Sequence, residues 1–151
     1  MVILLMFHSF SAIFLMFDVF NYMLFAFSLA FDRNIATDFE IADGIVIQAD
    51  VHCLTRILNN LMSNAQKYTA DSFGVKLKQE SDRVILCVSN TLADSTSLDI
   101  DKVFDPFYRM DARTAGGSGL GLYVVKLLCE RLGWSVSAES IDDVFTVSIM
   151  I

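Results

Sequence analysis

Proline occurs once in this 151-residue chain, at Pro106, and histidine only twice, at His8 and His52. With so few imidazoles, and with Cys53, Cys87 and Cys129 at no zinc-like spacing, a thiolate–imidazole metal cage is excluded. Three cysteines are also an odd, widely scattered set, so no disulfide framework is written here. The expectation is three reduced core residues of a cytosolic domain, since free cysteine behaves as a small buried hydrophobe. Basic residues are scarce too: eleven Lys and Arg against eighteen Asp and Glu leave a net charge of −7. Nucleic acid, whose affinity rests on phosphate neutralisation by basic clusters, is therefore a poor partner. A nucleotide is not excluded, because a local nest of backbone N–H groups is enough to hold its phosphates.

Charge is nearly missing from the start of the chain. Between Met1 and Phe31 only Asp18 is charged, and eight of the thirteen phenylalanines lie there, which raises the overall hydrophobic content to 54%. "MVILLMFHSFSAIFLMF" falls just short of the roughly 20 apolar residues that a membrane helix needs. It carries no positive n-region of a signal peptide and no flanking Lys or Arg to set an orientation. Residues 1–16 thus read as an apolar N-terminal segment, either a membrane helix or a packing helix, ahead of a domain over residues 17–151. Phe17, Phe20, Leu24, Phe27 and Phe31 recur at helical spacing, which predicts that this domain opens with a helix.

The remainder patterns as mixed helix and strand. "DGIVIQAD" reads as a short strand ending at Asp50, a residue suited to cap the next helix. "VHCLTRILNNLMSNAQKY" places Leu54, Ile57, Leu58, Leu61, Met62 and Ala65 on one apolar face. Arg56, Asn60 and Asn64 fall on another stripe, each one turn from the next. Such a stripe is either a solvated polar face or a pair of amide oxygens offered to a hard cation such as Mg²⁺. "FGVKLKQE" and "RVILCVSN" form a predicted hairpin, and "SVSAESIDDVFTVSIMI" a second one at the end of the chain. A helix is expected over Leu120–Leu132, stopped by Gly133. Without a strict βαβ repeat the class is α+β: a two-layer sandwich with helices on one face of a mostly antiparallel, mixed sheet.

Four of the seven glycines crowd into "GGSGLG", residues 116–121, directly before that helix. Glycine lets other groups approach the backbone closely, and a helix N-terminus carries roughly half a positive charge, an arrangement suited to a triphosphate. A mobile loop is the plainer alternative. No Lys-Ser/Thr comes after the last glycine, so this is not a P-loop, and no strand precedes it as a dinucleotide fingerprint requires.

Taken in order, these stretches resemble the catalytic ATP-binding domain of sensor histidine kinases, within the group that also holds gyrase, a heat-shock chaperone and a mismatch-repair ATPase. "LTRILNNLMSNAQKYT" is similar to that family's N box, "VFDPFYRMD" to its F box and "GGSGLGLYVVKLL" to its second glycine box. The resemblance covers about residues 32–151 and implies a Bergerat-type ATP-binding fold. It implies that Asn60 and Asn64 hold Mg²⁺ against the phosphates of ATP and act in catalysis, with Lys67 and Tyr68 bordering the nucleotide. It further implies that Phe104, Phe107, Tyr108 and Arg109 anchor one end of an ATP lid. Gly117, Ser118, Gly119 and Gly121 would form the phosphate-facing turn, with Leu120 and Leu122 packed beneath it.

Two departures stand out. The first glycine box of the family reads Asp-x-Gly-x-Gly, whereas here Asn90 takes the adenine-reading position and Leu92 and Asp94 replace the glycines. An Asn oxygen still accepts a hydrogen bond from the adenine amino group, without charge assistance. The second concerns phosphate acceptance: His8 in "FHSFSAIF" lacks the Glu/Asp and Pro that come after the family's phosphoacceptor. The resemblance therefore implies a γ-phosphate passed to a histidine on another segment or chain, a dimerisation/phosphoacceptor domain, and onward to a response regulator. It implies a cytoplasmic domain, tethered to the inner face of the membrane if residues 1–16 insert. The alternative is a truncated ATP-binding or regulatory module without phosphotransfer.

Overall fold

The computed structural model describes residues 12–13, 35–110 and 117–151. The helix expected over Phe17–Phe31, most of the segment 1–16 and Gly116 lie outside the described residues. Within that segment, Ala12–Ile13 (β1) forms a strand, paired antiparallel with Ile47–Gln48 (β3), where both readings of the sequence expected a helix. Among the described residues, no helix is long and apolar enough to cross a membrane.

Five strands make the main sheet: β2 (Ala36–Ile41), β4 (Ser72–Glu80), β5 (Arg83–Thr91), β6 (Ser135–Ile141) and β7 (Val144–Met150), in the order β2-β4-β5-β7-β6. β2 pairs parallel with β4 and every other neighbour is antiparallel. The sheet is thus mixed but mostly antiparallel, and the class is α+β as the sequence pattern implies. Both hairpins form where alternation placed them. β2 is missing from the sequence reading, although "ATDFEI" does alternate. Thr37, Phe39 and Ile41 are half-buried while Ala36, Asp38 and Glu40 are exposed, and the Phe39 ring meets Phe73 edge-on at 6.1 Å.

Helix α1 (Val51–Tyr68) begins where Asp50 stops the preceding strand, its carboxylate accepting the Cys53 N–H at 3.0 Å. All six residues of the expected apolar face are buried. Leu54 and Ile57, at 1% and 0% exposure, each contribute about 1.5–3 kcal/mol of burial. At the other end Thr69 closes the helix, with its N–H and its hydroxyl both donating to the Ala65 carbonyl. Helix α2 (Gly121–Leu132) packs beside α1 and ends at Gly133, whose φ of 76° is left-handed and lets Trp134 N–H reach back to the Cys129 carbonyl.

The helices cover the sheet face that carries Val75, Leu77, Leu86, Val88, Val147 and Ile149, and this layer is the core. Cys53 and Cys129 lie in it as free thiols. Cys87 corrects the expectation of three core cysteines. It is half-buried on the opposite sheet face, one position out of phase with Leu86 and Val88, and its Sγ lies 3.4 Å from the Ser148 hydroxyl.

Candidate functional site

The last turns of α1 and the first turn of α2 lie side by side above the sheet, and a cavity of ≈ 240 Å³ opens between them. α1 lends it Asn60, Ser63, Asn64, Lys67 and Tyr68. These positions recur three or four apart, so one stripe of one helix faces the space. The apolar face of the same helix is anchored in the core, which fixes the direction of the stripe.

Gly117, Ser118, Gly119, Gly121 and Leu122 form the facing wall, and Tyr108, Arg109 and Met110 continue it. Leu92, Leu98, Val103 and Phe145 close the apolar end. The cavity is therefore polarised: amides, a lysine and glycine backbone at one end, aliphatic and aromatic side chains at the other.

The polar end attracts anions for a structural reason. No described side chain caps α2, and its first turn holds no acidic residue. Its opening N–H groups, which an α-helix cannot satisfy internally, stand beside the lining residues Gly121 and Leu122 with the positive end of the helix dipole. The Lys67 ammonium lies over the Tyr68 ring at 4.9 Å and so close to Gly117 that a Cβ there would strike it. Asn60 donates its Nδ2 to the Arg56 carbonyl at 2.7 Å, which leaves Oδ1 as its outward atom, toward Gly121. The Asn64 side chain has no hydrogen-bond partner among the described residues. Two carboxamides with oxygens to offer suit a hard cation.

Gly119 is left-handed at φ 69°, and a Cβ on it would lie 2.6–2.8 Å from the Phe107 backbone. Phe107 is itself left-handed at φ 66°, and its N–H donates to the Gly119 carbonyl at 2.9 Å. The next residue is braced as well, since the Tyr108 hydroxyl accepts the Asp99 N–H at 2.7 Å. The Lys102 ammonium on Asp99 holds that carboxyl below its usual range.

Of the residues singled out in the sequence, the cavity gathers Asn60, Asn64, Lys67, Tyr68, Tyr108, Arg109, Gly117, Ser118, Gly119, Gly121 and Leu122. Asn90, Phe107 and Leu120 lie outside its lining. Asn90 is buried at 4% exposure with its Nδ2 turned to the Thr91 carbonyl at 3.3 Å. The Phe107 ring is 72% exposed, and only its backbone takes part in the wall. Leu120 is the N-cap of α2, and Phe104 packs against the core. Ser63, Leu98, Val103, Met110 and Phe145 line the cavity without having been expected there. Ser63 was within reach of helical spacing, one turn from Asn60. Val103 and Met110 fall within the quoted "VFDPFYRMD" stretch, whereas Leu98 and Phe145 come from separate elements that no local pattern marks.

Fold and cavity together define an α+β domain whose cavity has a polar, glycine-flanked end at the start of α2. The family model described as "Histidine kinase-, DNA gyrase B-, and HSP90-like ATPase" matches residues 49–150, and the chain belongs to that family. It is 31% identical over 105 residues to the sensor histidine kinase WalK of Bacillus subtilis (strain 168), covering 65% of this chain and 17% of WalK. With the sensor protein SrrB of Staphylococcus aureus (strain NCTC 8325 / PS 47) it shares 31% over 114 residues, 72% of this chain and 20% of SrrB. The chain thus spans about a fifth of the length of the curated relatives it matches. Its fold is that of the nucleotide-free catalytic domain of the histidine kinase ThkA, with a TM-score of 0.79 at 20% identity over 95% of each chain. ATP binding follows from the family.

Proposed function

We propose that the cavity between α1 and α2 takes up Mg·ATP and presents its γ-phosphate to a histidine on another segment or chain. The observation that carries this reading is the shared lining: Asn60 and Asn64 on one wall, Gly117–Gly121 and the uncapped start of α2 on the other.

The residues divide the work by chemistry. The opening N–H groups of α2 and the Lys67 ammonium suit the phosphate oxygens. Leu92, Leu98, Val103, Met110 and Phe145 suit the purine. Asn60, through Oδ1, and Asn64 would hold magnesium, which when bound neutralises phosphate charge. The acceptor imidazole nitrogen attacks the γ-phosphorus, a new P–N bond forms, the bond to the β–γ bridging oxygen breaks, and ADP leaves. Such a transfer asks the protein mainly for positioning and electrostatics, which these walls supply. The acceptor domain and a response regulator are its partners in this reading. A cytoplasmic location is part of it, because that compartment supplies the ATP.

Isothermal titration with Mg·ATP, then transfer from labelled ATP to a supplied histidine kinase dimerisation segment, tests this. Binding that needs Mg²⁺ and is abolished in Asn64→Ala is expected, together with label on the acceptor histidine. Tight binding with no label on any competent acceptor would overturn the transfer step, and absence of binding would overturn the whole reading.

A further inference from the structure

The apolar end of the cavity hangs on a turn that the proposed reaction does not use. Asp142 and Asp143 close the β6–β7 hairpin at φ 49° and 64°, a left-handed conformation that Asp tolerates better than most residues. From this turn Asp143 reaches the loop after β5. Its carbonyl accepts the Leu92 N–H at 2.8 Å. Its Oδ1 accepts both the Ser95 N–H at 3.2 Å and the Ser95 hydroxyl at 2.5 Å.

The bracing continues along the loop. Asp94 Oδ1 takes the Thr96 N–H and hydroxyl at 2.8 and 2.6 Å, and Leu98 N–H donates to the Ser95 carbonyl at 2.9 Å. One residue further on, Asp99 N–H reaches the Tyr108 hydroxyl. Leu92, Leu98 and Tyr108 all line the cavity, whereas Asp143 does not. This loop is also where Leu92 and Asp94 stand in place of two glycines. Leu92, only 7% exposed, must be seated in the wall, so the loop needs a fixed course.

We propose that Asp143 is a positioning residue for the base end of the nucleotide site: it pins the 92–98 loop so that Leu92 and Leu98 form a preformed apolar wall for the purine. This rests on the ATP-binding reading above and adds a residue outside the cavity to the determinants of base selectivity. Preorganisation lowers the ordering cost that binding would otherwise bear.

Two substitutions at the same position separate positioning from turn formation. Asp143→Gly keeps the left-handed turn and removes the carboxylate, while Asp143→Asn keeps the turn and an acceptor oxygen. Each full-length variant is titrated with Mg·ATP and with Mg·GTP, and melted without nucleotide. Asp143→Gly is expected to weaken Mg·ATP binding roughly three- to tenfold, as loss of such hydrogen bonds implies, and to shrink the ATP-over-GTP preference. Asp143→Asn is expected to restore both to within about twofold, a difference below 0.5 kcal/mol. Ser95→Ala, a change at a half-buried position that spares the turn, should weaken Mg·ATP binding about two- to threefold with an unaltered melt. Wild-type affinity and preference in Asp143→Gly, or an Asn variant as weak as the Gly one, overturns the proposal. If Asp143→Gly does not fold, Ser95→Ala decides, and wild-type affinity there overturns it. A wild-type chain that fails to bind Mg·ATP overturns the functional reading, and this inference with it.

Discussion

Phe107 and Gly119 clasp one another: the Phe107 N–H meets the Gly119 carbonyl at 2.9 Å, and the Phe107 backbone fills the space that a side chain on Gly119 would need. The contact joins the F-box segment to the start of α2. Both partners are left-handed, which confines the clasp to one geometry.

The clasp separates two neighbouring glycines by experiment. Gly119→Ala forces a Cβ against rigid backbone at a left-handed φ and is expected to cost about 1–3 kcal/mol locally. Mg·ATP affinity should then fall roughly ten- to a hundredfold by calorimetry. Gly117→Ala meets only the mobile end of Lys67, which can swing away, and should leave the melting temperature unchanged. Equal effects of the two changes would show that the clasp has no special part in binding.

Phe107 holds a conformation that suits Asn or Gly, with a ring that is largely in solvent. Relief of that strain outweighs the small burial lost, so Phe107→Asn should raise stability by up to about 1 kcal/mol in urea unfolding. A marked loss of stability would show that the ring packs against the protein in solution.

The start of α1 has an acid dependence of known sign. The Cys53 N–H on its carboxylate holds Asp50 below its ordinary 3.8. A depressed folded-state pKa means that the cap stabilises above pH 3.8 and is lost as the pH falls through the lowered value. Asp50→Ala should therefore melt lower than wild type at neutral pH, with the gap closing in acid. A gap that stays constant down to full protonation would argue against the cap.

At alkaline pH the sign is reversed. Burial, with a smaller contribution from Glu130, pushes the Cys129 thiol up from 9.0 to about 12. The folded chain keeps a proton that the unfolded chain loses, so this contribution is intact below pH 9 and declines as pH rises from 9 toward 12. The slope is at most about 1.4 kcal/mol per pH unit. Urea unfolding at about pH 8 and about pH 10.5, on either side of the thiol's ordinary range, should show a smaller loss in Cys129→Ala than in wild type. In the native chain, thiol reagents should label half-buried Cys87 well before Cys129; the opposite order would mean that α2 opens readily.

Local pattern alone determined both hairpins, α1 with its Asp50 cap, α2 with its Gly133 stop, and the α+β class, because each rests on periodicity or on a residue's own conformational preference. The N-box stripe and the glycine run were legible for the same reason: Asn60, Asn64 and Lys67 share one helix face, and Gly117 to Gly121 are consecutive. Only the tertiary structure decided that these two stretches confront each other, since the chain between them passes through two strands and a loop before returning. It also brought Leu92, Leu98, Val103 and Phe145 together at the apolar end of the cavity. It turned the Phe107 ring outward while keeping its backbone, and seated Asn90 in the buried layer beside Phe145 rather than in the cavity lining. Those outcomes depend on which elements pack against which, and burial against a distant neighbour leaves no trace in local spacing.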